Sequence, residues 1–214
     1  LAPRSKVSFD RSVLRRIAQD YAQRLGAPLG KETRMGVWGS EARYDYVAKT
    51  AGARSALEIT SNPVPYWEWF VEWQHESEGE TNVVVDNRGS LITIWREFRS
   101  GPSRPALSVE EVRPLAEKAL RDFYDRDPDS LRLEHAGSDT LRGYATTSFI
   151  WLDPNEYHGL KQRYTVRFVG REIAFLSSRY QLPEGYNWRQ PTRWGPPVLL
   201  ALGAVLLIVG FAQR

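Results

Sequence analysis

Three histidines are the side chains best suited to bind a transition metal or to transfer a proton near neutral pH: His75, His135 and His158. No two of them stand at the short spacing that lets one helix or loop present two imidazoles to one metal ion. The glutamates at positions 72, 76, 78 and 80 could attract a cation to His75, but a solvated acidic hairpin tip is the simpler interpretation. We therefore predict no metal-binding residues.

A second pattern, Asp125, Asp127 and Asp129, has the alternate-residue spacing that opens a calcium-binding EF-hand loop. That loop also requires Gly at its sixth position and Glu at its twelfth, where this chain has Ser130 and Ala136. Pro128 further stiffens the middle of the segment. The pattern therefore indicates a polar turn after a helix.

Other signatures of catalysis are missing from the sequence. It contains no Cys, which excludes thiolate nucleophiles, disulfides and Cys-ligated zinc. It also has no Gly-x-Ser-x-Gly elbow, no phosphate-cradling loop and no dinucleotide fingerprint. We therefore predict that the chain is not an enzyme, has no catalytic residues and uses no cofactor. The alternative is an enzyme site assembled from scattered groups, which needs a concave pocket with titratable residues of perturbed pKa.

A tryptophan-rich segment, residues 66–74, is the sharpest feature of the sequence. Trp67, Trp69 and Trp73 alternate with polar residues and so lie on one face of a half-buried strand, opposite Glu68 and Glu72. Three tryptophans on one strand face are typical of a sheet core under a helix. The alternative is an aromatic platform for a peptide or a glycan, in which case these three tryptophans are the ligand surface.

The elements that would position these residues occur twice in the same order. Residues 8–10 (Ser-Phe-Asp) are a candidate N-cap region, and Ser108 is a candidate N-cap within a capping box that includes Glu111. Apolar residues at helical spacing follow each of them. Antiparallel strands follow each helix, and an additional helix is expected over 40–51. The predicted fold class is therefore α+β, with tandem helix-plus-antiparallel-sheet units. The predicted domains are a first unit at 1–100, a second unit at 106–182 and a linker at 183–195.

The C-terminal residues 194–212 contain no charged side chain. A helix of that length spans roughly 28 Å, close to one hydrocarbon thickness, so we predict a transmembrane helix over 196–212, with the lipid bilayer as a partner. A buried core helix is the alternative. Elsewhere the net charge of +3 is spread among mixed charges without a basic stripe, so we expect no nucleic-acid partner.

The order of short motifs resembles known proteins. Residues 67–73 (Trp-Glu-Trp-Phe-Val-Glu-Trp) precede a Val-Asp-x-x-Gly hairpin at 85–89, as in PepSY-type units of a cystatin-like fold. With the helix openings at 7–11 and 107–111 and the apolar C-terminal run, this order is similar to the extracytoplasmic region of some bacterial CPBP-family (CAAX protease-like) intramembrane metalloproteases. The resemblance implies that Leu1 and Ala2 end an earlier membrane helix, and that the folded part is extracytoplasmic. The family's catalytic Glu-Glu-x-x-x-Arg motif is absent, since Glu110 and Glu111 are followed by Arg at the wrong spacing.

Together these observations predict a non-catalytic regulatory or scaffold ectodomain of a membrane protein, which by the resemblance is a CPBP-family protease. Its partner is a protein, a peptide or the protease's own membrane domain. The alternative function is a membrane-anchored module that binds a peptide or a glycan of the cell envelope.

Overall fold

The computed structural model describes residues 9–59, 64–75, 79–98, 107–141 and 143–187. In these ranges the chain forms eight strands, four α-helices and one short 3-10 helix at Pro128–Ser130. The helices are α1 (Arg11–Arg24), α2 (Glu41–Ala51), α3 (Ala53–Ile59) and α4 (Val109–Tyr124). The strands are β1 (Lys31–Gly39), β2 (Trp67–His75), β3 (Gly79–Asp86), β4 (Leu91–Glu97), β5 (Arg132–Leu141), β6 (Tyr144–Tyr157), β7 (Leu160–Val169) and β8 (Glu172–Gln181).

All eight strands belong to one sheet, in the order β1-β2-β3-β4-β8-β7-β6-β5, and every neighbouring pair is antiparallel. The last strand of each half therefore lies beside the last strand of the other. This junction is short, because it pairs Thr93 with Ser177, Ile94 with Leu176 and Trp95 with Phe175. A continuous sheet results, with β1 and β5 at its two edges.

The predicted fold class, tandem helix-plus-sheet units followed by a transmembrane helix, is wrong. The pairing of β4 with β8 merges the strands of both halves into one sheet over one shared core, so there are not two separate units. In the described ranges, no helix combines the length and apolar character needed to cross a bilayer. The prediction of a transmembrane helix is therefore corrected as well, and the residues to which it was assigned, 196–212, lie outside the described ranges.

Helices α1 and α4 cover the same face of the sheet, called here the helix face. Each helix begins at the predicted cap: the Asp10 carboxylate accepts from the backbone N–H of Ser12 and Val13, and Ser108 and Glu111 form the capping box. Small apolar residues at helical spacing let both helices lie close to the sheet. The core joins both helices to strand residues on both sides of the junction: Leu14, Ala18, Val112, Leu120, Val71, Trp73, Phe149 and Val166 among others.

Helices α2 and α3 lie at one end of the sheet, where Val47, Ala56 and Val64 pack with Leu160 of β7. The first residues of the predicted linker also lie here. Tyr186 donates a hydrogen bond to the Asp45 carboxylate at 2.6 Å, and its ring meets that of Tyr46 edge-on. The start of the predicted linker therefore packs against α2 through Tyr186.

Local sequence patterns predicted some of the individual elements correctly and missed others. The alternation in β2 is confirmed, since Val71 and Trp73 lie in the core and Phe70 on the opposite face. The additional helix is confirmed as α2. Strand β1 was not predicted. Helix α4 begins at Val109, directly after its N-cap Ser108, and continues through Pro114.

Candidate functional site

The face of the sheet opposite α1 and α4, called here the open face, carries a groove at one end of the β4–β8 junction. Its volume is about 560 Å³. Apolar and aromatic side chains from β4, the β5–β6 hairpin and β8 line it, together with Arg167 of β7 and with Arg96 of β4, which pairs with Glu172 at 3.2 Å. We call this site the aromatic groove, and the residues that define it are Trp95, Phe98, Leu141, Tyr144, Arg167 and Phe175.

The strand register places the groove residues. Trp95 and Phe175 lie directly opposite each other across the junction, and Trp95 remains 39% exposed. Leu141 is 43% exposed at the end of β5. The Tyr144 hydroxyl donates to the backbone carbonyl of Phe98 at 2.7 Å, which holds the two rings 6.4 Å apart. Because this hydrogen bond holds the Phe98 and Tyr144 rings in place before any ligand arrives, binding in the groove does not require ordering those two rings.

Arg167 brings a positive charge into this apolar surface. It pairs with Ser148 on β6 and Phe175 on β8, and its guanidinium lies 5.9 Å from the centre of the Phe175 ring. Arg167 is half-buried, and within the described ranges it forms no salt bridge. A guanidinium in this position suits a carboxylate or phosphate, which it can bind through two parallel hydrogen bonds.

The side chains that line the groove are better suited to binding a ligand than to catalysing a reaction. Its described lining contains no His, Cys or Ser. The Thr146 hydroxyl donates to the backbone carbonyl of Asp139 at 3.2 Å, and the Tyr144 hydroxyl is engaged with Phe98. Glu80 and Glu97 lie opposite each other at the rim and so add negative charge at one end. The arrangement therefore suits a ligand with an apolar group and a separate charged group.

A second cavity, of about 670 Å³, opens on the helix face between the C-terminal ends of α1 and α4. Burial raises the pKa of Tyr164 to about 12, and its hydroxyl accepts a hydrogen bond from Arg126 Nε at 2.9 Å. Burial also raises the pKa of Tyr124 well above its ordinary value. Both phenols are therefore neutral at physiological pH and act as hydrogen-bonding groups, not as bases or nucleophiles.

Charge in this second cavity is neutralised from within. Its arginines each lie near a carboxylate of the same chain: Arg24 near Asp20 at 3.8 Å, Arg43 near Glu68, Arg88 near Asp86 at 3.5 Å, Arg121 near Asp127 at 4.0 Å and Arg126 near Asp153 at 3.9 Å. An external anion would compete with these internal partners. The aromatic groove, with Arg167 outside any described salt bridge, is therefore the stronger candidate.

The three tryptophans considered as an alternative ligand surface, Trp67, Trp69 and Trp73, lie outside the aromatic groove. Trp73 is only 2% exposed in the core, and half-buried Trp69 packs against that core from the same side of β2. Trp67, at the start of β2, is half-buried and its ring meets Tyr66 edge-on at 4.8 Å. The groove residues were not identified from the sequence. The only local signal was the exposed position of Trp95 in the alternation of β4.

The histidines and aspartates considered in the sequence are not gathered into one site. His75 is buried beside the Thr81 hydroxyl at 3.2 Å, His135 is exposed on β5, and His158 occupies the β6–β7 turn. Asp125 caps α4 in a left-handed conformation, and Asp127 accepts from the backbone N–H of Asp129 at 3.3 Å. Within the described ranges, no group of three His, Asp or Glu residues could hold a metal ion.

Comparison with known proteins adds no relative: no family model, no curated protein and no solved structure matches this chain.

Proposed function

We propose that this chain is a non-catalytic binding and scaffold domain that holds a protein partner in the aromatic groove. The partner presents a short segment in which an aromatic or large aliphatic side chain stands next to a carboxylate. The apolar side chain lies against Trp95 and Phe175, and the carboxylate binds Arg167.

One observation carries this proposal. Trp95 of β4, which is 39% exposed, lies directly opposite Phe175 of β8, and Arg167 of β7 presents its half-buried guanidinium on the other side of Phe175. Tryptophan, tyrosine and arginine are the residues that most often dominate the binding energy of protein interfaces. Here they stand on paired strands, so their positions are fixed by the sheet ladder. That rigidity supports recognition of a defined segment.

The shape of the groove favours a peptide segment over a small molecule. Its volume of about 560 Å³ is enough for one or two large side chains. It is open to solvent along the sheet face, so a continuous chain can lie across it while its side chains enter. A small ligand would keep much of its own surface exposed to water in such an open groove.

The resemblance to the extracytoplasmic region of CPBP-family proteases is consistent with this role. In that family the catalytic motifs lie in other segments of the protein, and the Glu-Glu-x-x-x-Arg motif is absent from this sequence. As part of the proposal, the domain is extracytoplasmic and its partner is a substrate of such a protease or the protease's own catalytic region.

Selection from a displayed library of short random peptides on the immobilised 214-residue chain tests the proposal. We expect the selected peptides to share an aromatic or large aliphatic residue beside Asp or Glu. Calorimetry with the best peptide should show that Trp95→Ala and Arg167→Gln each weaken binding about tenfold or more, as expected for central interface residues. Replacing the peptide carboxylate by an amide should remove the effect of Arg167→Gln.

Val37→Ala is the matched control, because Val37 is 43% exposed on β1, at the far edge of the sheet. It should leave the affinity unchanged. Peptides that bind wild type and Trp95→Ala equally well would contradict the proposal. Saturable binding of an N-acetylglucosamine tetramer that requires Trp95, without any selected peptide, would instead favour the glycan-binding alternative.

A further inference from the structure

The two edge strands of the sheet differ in how well they are protected. An exposed edge presents unpaired backbone groups that can pair with another strand, and proteins usually blunt such edges with charges, bulges or covering groups. On β1, the Arg11 guanidinium donates to the backbone carbonyl of Met35 at 3.0 Å, and Arg15 pairs with Glu32 at 2.8 Å. A bulge also interrupts β1 between Glu32 and Arg34. The β1 edge is therefore protected.

The β5 edge has less protection. Eight of its ten residues are exposed, and in the described ranges no strand lies on its outer side. Its bulge lies near one end, between Leu133 and His135, so the strand alternates regularly from His135 to Leu141. The central residues 135–139 are His-Ala-Gly-Ser-Asp, which include no Lys and no Pro. This stretch is therefore open to a further strand.

We propose that β5 pairs antiparallel with β5 of a second copy of this chain, with the two Gly137 residues facing each other at the two-fold axis. Residues that pair across two strands lie on the same face of the sheet. The two-fold axis must therefore set one residue opposite its own copy, and it cannot fall between two successive residues of the regular stretch. The register centred on Gly137 sets His135 of each copy opposite Asp139 of the other.

Charge complementarity selects this register among its neighbours. Centring on Ala136 sets His135 opposite Gly137, and centring on Ser138 sets it opposite Leu141, so both lose the His–Asp pairs. The Asp139 carboxylate accepts a hydrogen bond from the backbone N–H of Thr140 at 2.6 Å, and within the described ranges neither His135 nor Asp139 forms a salt bridge. Both side chains are exposed. An opposite-charge or hydrogen-bonded cross-strand pair stabilises such a register, and the axis supplies two of them.

The two-fold axis of such a pair is perpendicular to the sheet, so the open faces of both copies lie on the same side of one sixteen-stranded sheet. Two aromatic grooves then lie on the same face of that continuous sheet. The dimer does not depend on the proposed ligand of the groove, because none of the pairing residues between His135 and Asp139 lines it.

Sedimentation equilibrium of the 214-residue chain tests the pairing. We expect wild type to reach twice the 24.5 kDa mass of one chain. Asp139→Lys and His135→Asp should each weaken dimerisation about tenfold, because each removes both His–Asp pairs and His135→Asp also sets two aspartates opposite each other. The double variant His135→Asp/Asp139→His should restore it. The apolar residues 194–212 are unchanged in all variants, so association through them would not follow this pattern.

A crosslinking measurement decides the register independently. Directly opposed residues of antiparallel strands have Cα atoms about 4.5 to 5.5 Å apart, within the range that a disulfide bridges. The chain has no Cys, so Gly137→Cys introduces one thiol, and its Cβ meets only the exposed His135 ring at 3.1 Å. Mild oxidation should give a crosslinked dimer from Gly137→Cys and none from Arg34→Cys on β1. A chain that stays monomeric, or a dimer that is indifferent to positions 135 and 139, would overturn the proposal.

Discussion

Arg43 of α2 and Glu68 of β2 form a buried ion pair, in which the arginine side chain is 8% exposed and the glutamate side chain 1%. The other carboxylate oxygen of Glu68 accepts from Trp38 Nε1 at 2.8 Å and lies 3.6 Å from Arg179. A helix, two neighbouring strands and a strand of the second half therefore converge on one carboxylate. The pair joins α2 to β2 at the end of the sheet, beside the apolar cluster of Val47 and Leu160.

Removing one partner of this pair should be costly. Arg43→Ala leaves the buried Glu68 carboxylate with only Trp38 and Arg179 as partners. We expect the free energy of unfolding to fall by about 3 to 5 kcal/mol. Denaturant unfolding of the full chain measures this change. Lys49→Ala on the same helix is the control, because Lys49 and Asp45 form an exposed pair that is worth about 0 to 1 kcal/mol.

The double variant Arg43→Ala/Glu68→Leu separates the buried charge from lost packing. If the uncompensated carboxylate causes the loss, the second substitution should recover part of it, even though it removes another polar contact. An Arg43→Ala variant as stable as Lys49→Ala would show that the pair does not anchor α2.

A second prediction concerns the close approach of Gly36 on β1 to the Phe70 ring on β2. A Cβ atom at position 36 would lie 2.6 Å from both Cε1 and Cζ of that ring, which is also stacked on Trp38 at 4.7 Å. Since the ring is 7% exposed, it has little room to move. Gly36→Ala should therefore lower the free energy of unfolding by about 1 to 3 kcal/mol, as overpacking usually does.

Thermal or denaturant unfolding checks this value against two comparisons. Gly137→Ala on β5 should cost less, because its Cβ meets only the exposed His135 ring. In a Phe70→Ala background, Gly36→Ala should lose most of its effect, which a double-mutant cycle measures as coupling. Equal costs in both backgrounds would mean that the ring is not the obstacle.

A third prediction follows from the cap of α1. The Ser12 side chain and the backbone N–H groups of Val13 and Ser12 donate to the Asp10 carboxylate, and these hydrogen bonds hold its pKa below the ordinary value of 3.8. The folded state thus prefers the ionised form. Its contribution to stability is complete above pH 3.8, and it is lost as the pH falls through the lower folded-state pKa.

Asp10→Asn isolates this contribution, because Asn still caps a helix but does not titrate. The stability advantage of wild type over the variant should therefore shrink as the pH falls from neutral to below 3.8. Denaturant midpoints measured at both pH values test it. A difference between the two proteins that is independent of pH would mean that Asp10 is not ionised more readily in the folded state.

Local patterns predicted several elements well, because short-range geometry alone produces them. The capping box at Ser108 and Glu111 begins α4, and period-two alternation gave the correct inward face of β2 at Val71 and Trp73. Strand β1 was not predicted, since Gly36 and Gly39 interrupt its pattern. Contact with the Phe70 and Tyr66 rings of the neighbouring strand and loop compensates for those glycines, and that contact is tertiary.

The sequence by itself determined where several helices and strands form, among them α2, α4 and β2, and, for β2, which face is buried, because hydrophobic periodicity encodes both within a few residues. The tertiary structure alone decided that the two halves share one sheet. The pairing of Trp95 with Phe175 joins residues that are distant along the chain, and no spacing records it. For the same reason, the aromatic groove could not be found from the tryptophan-rich strand: its residues come from separate strands whose lateral order depends on long-range pairing.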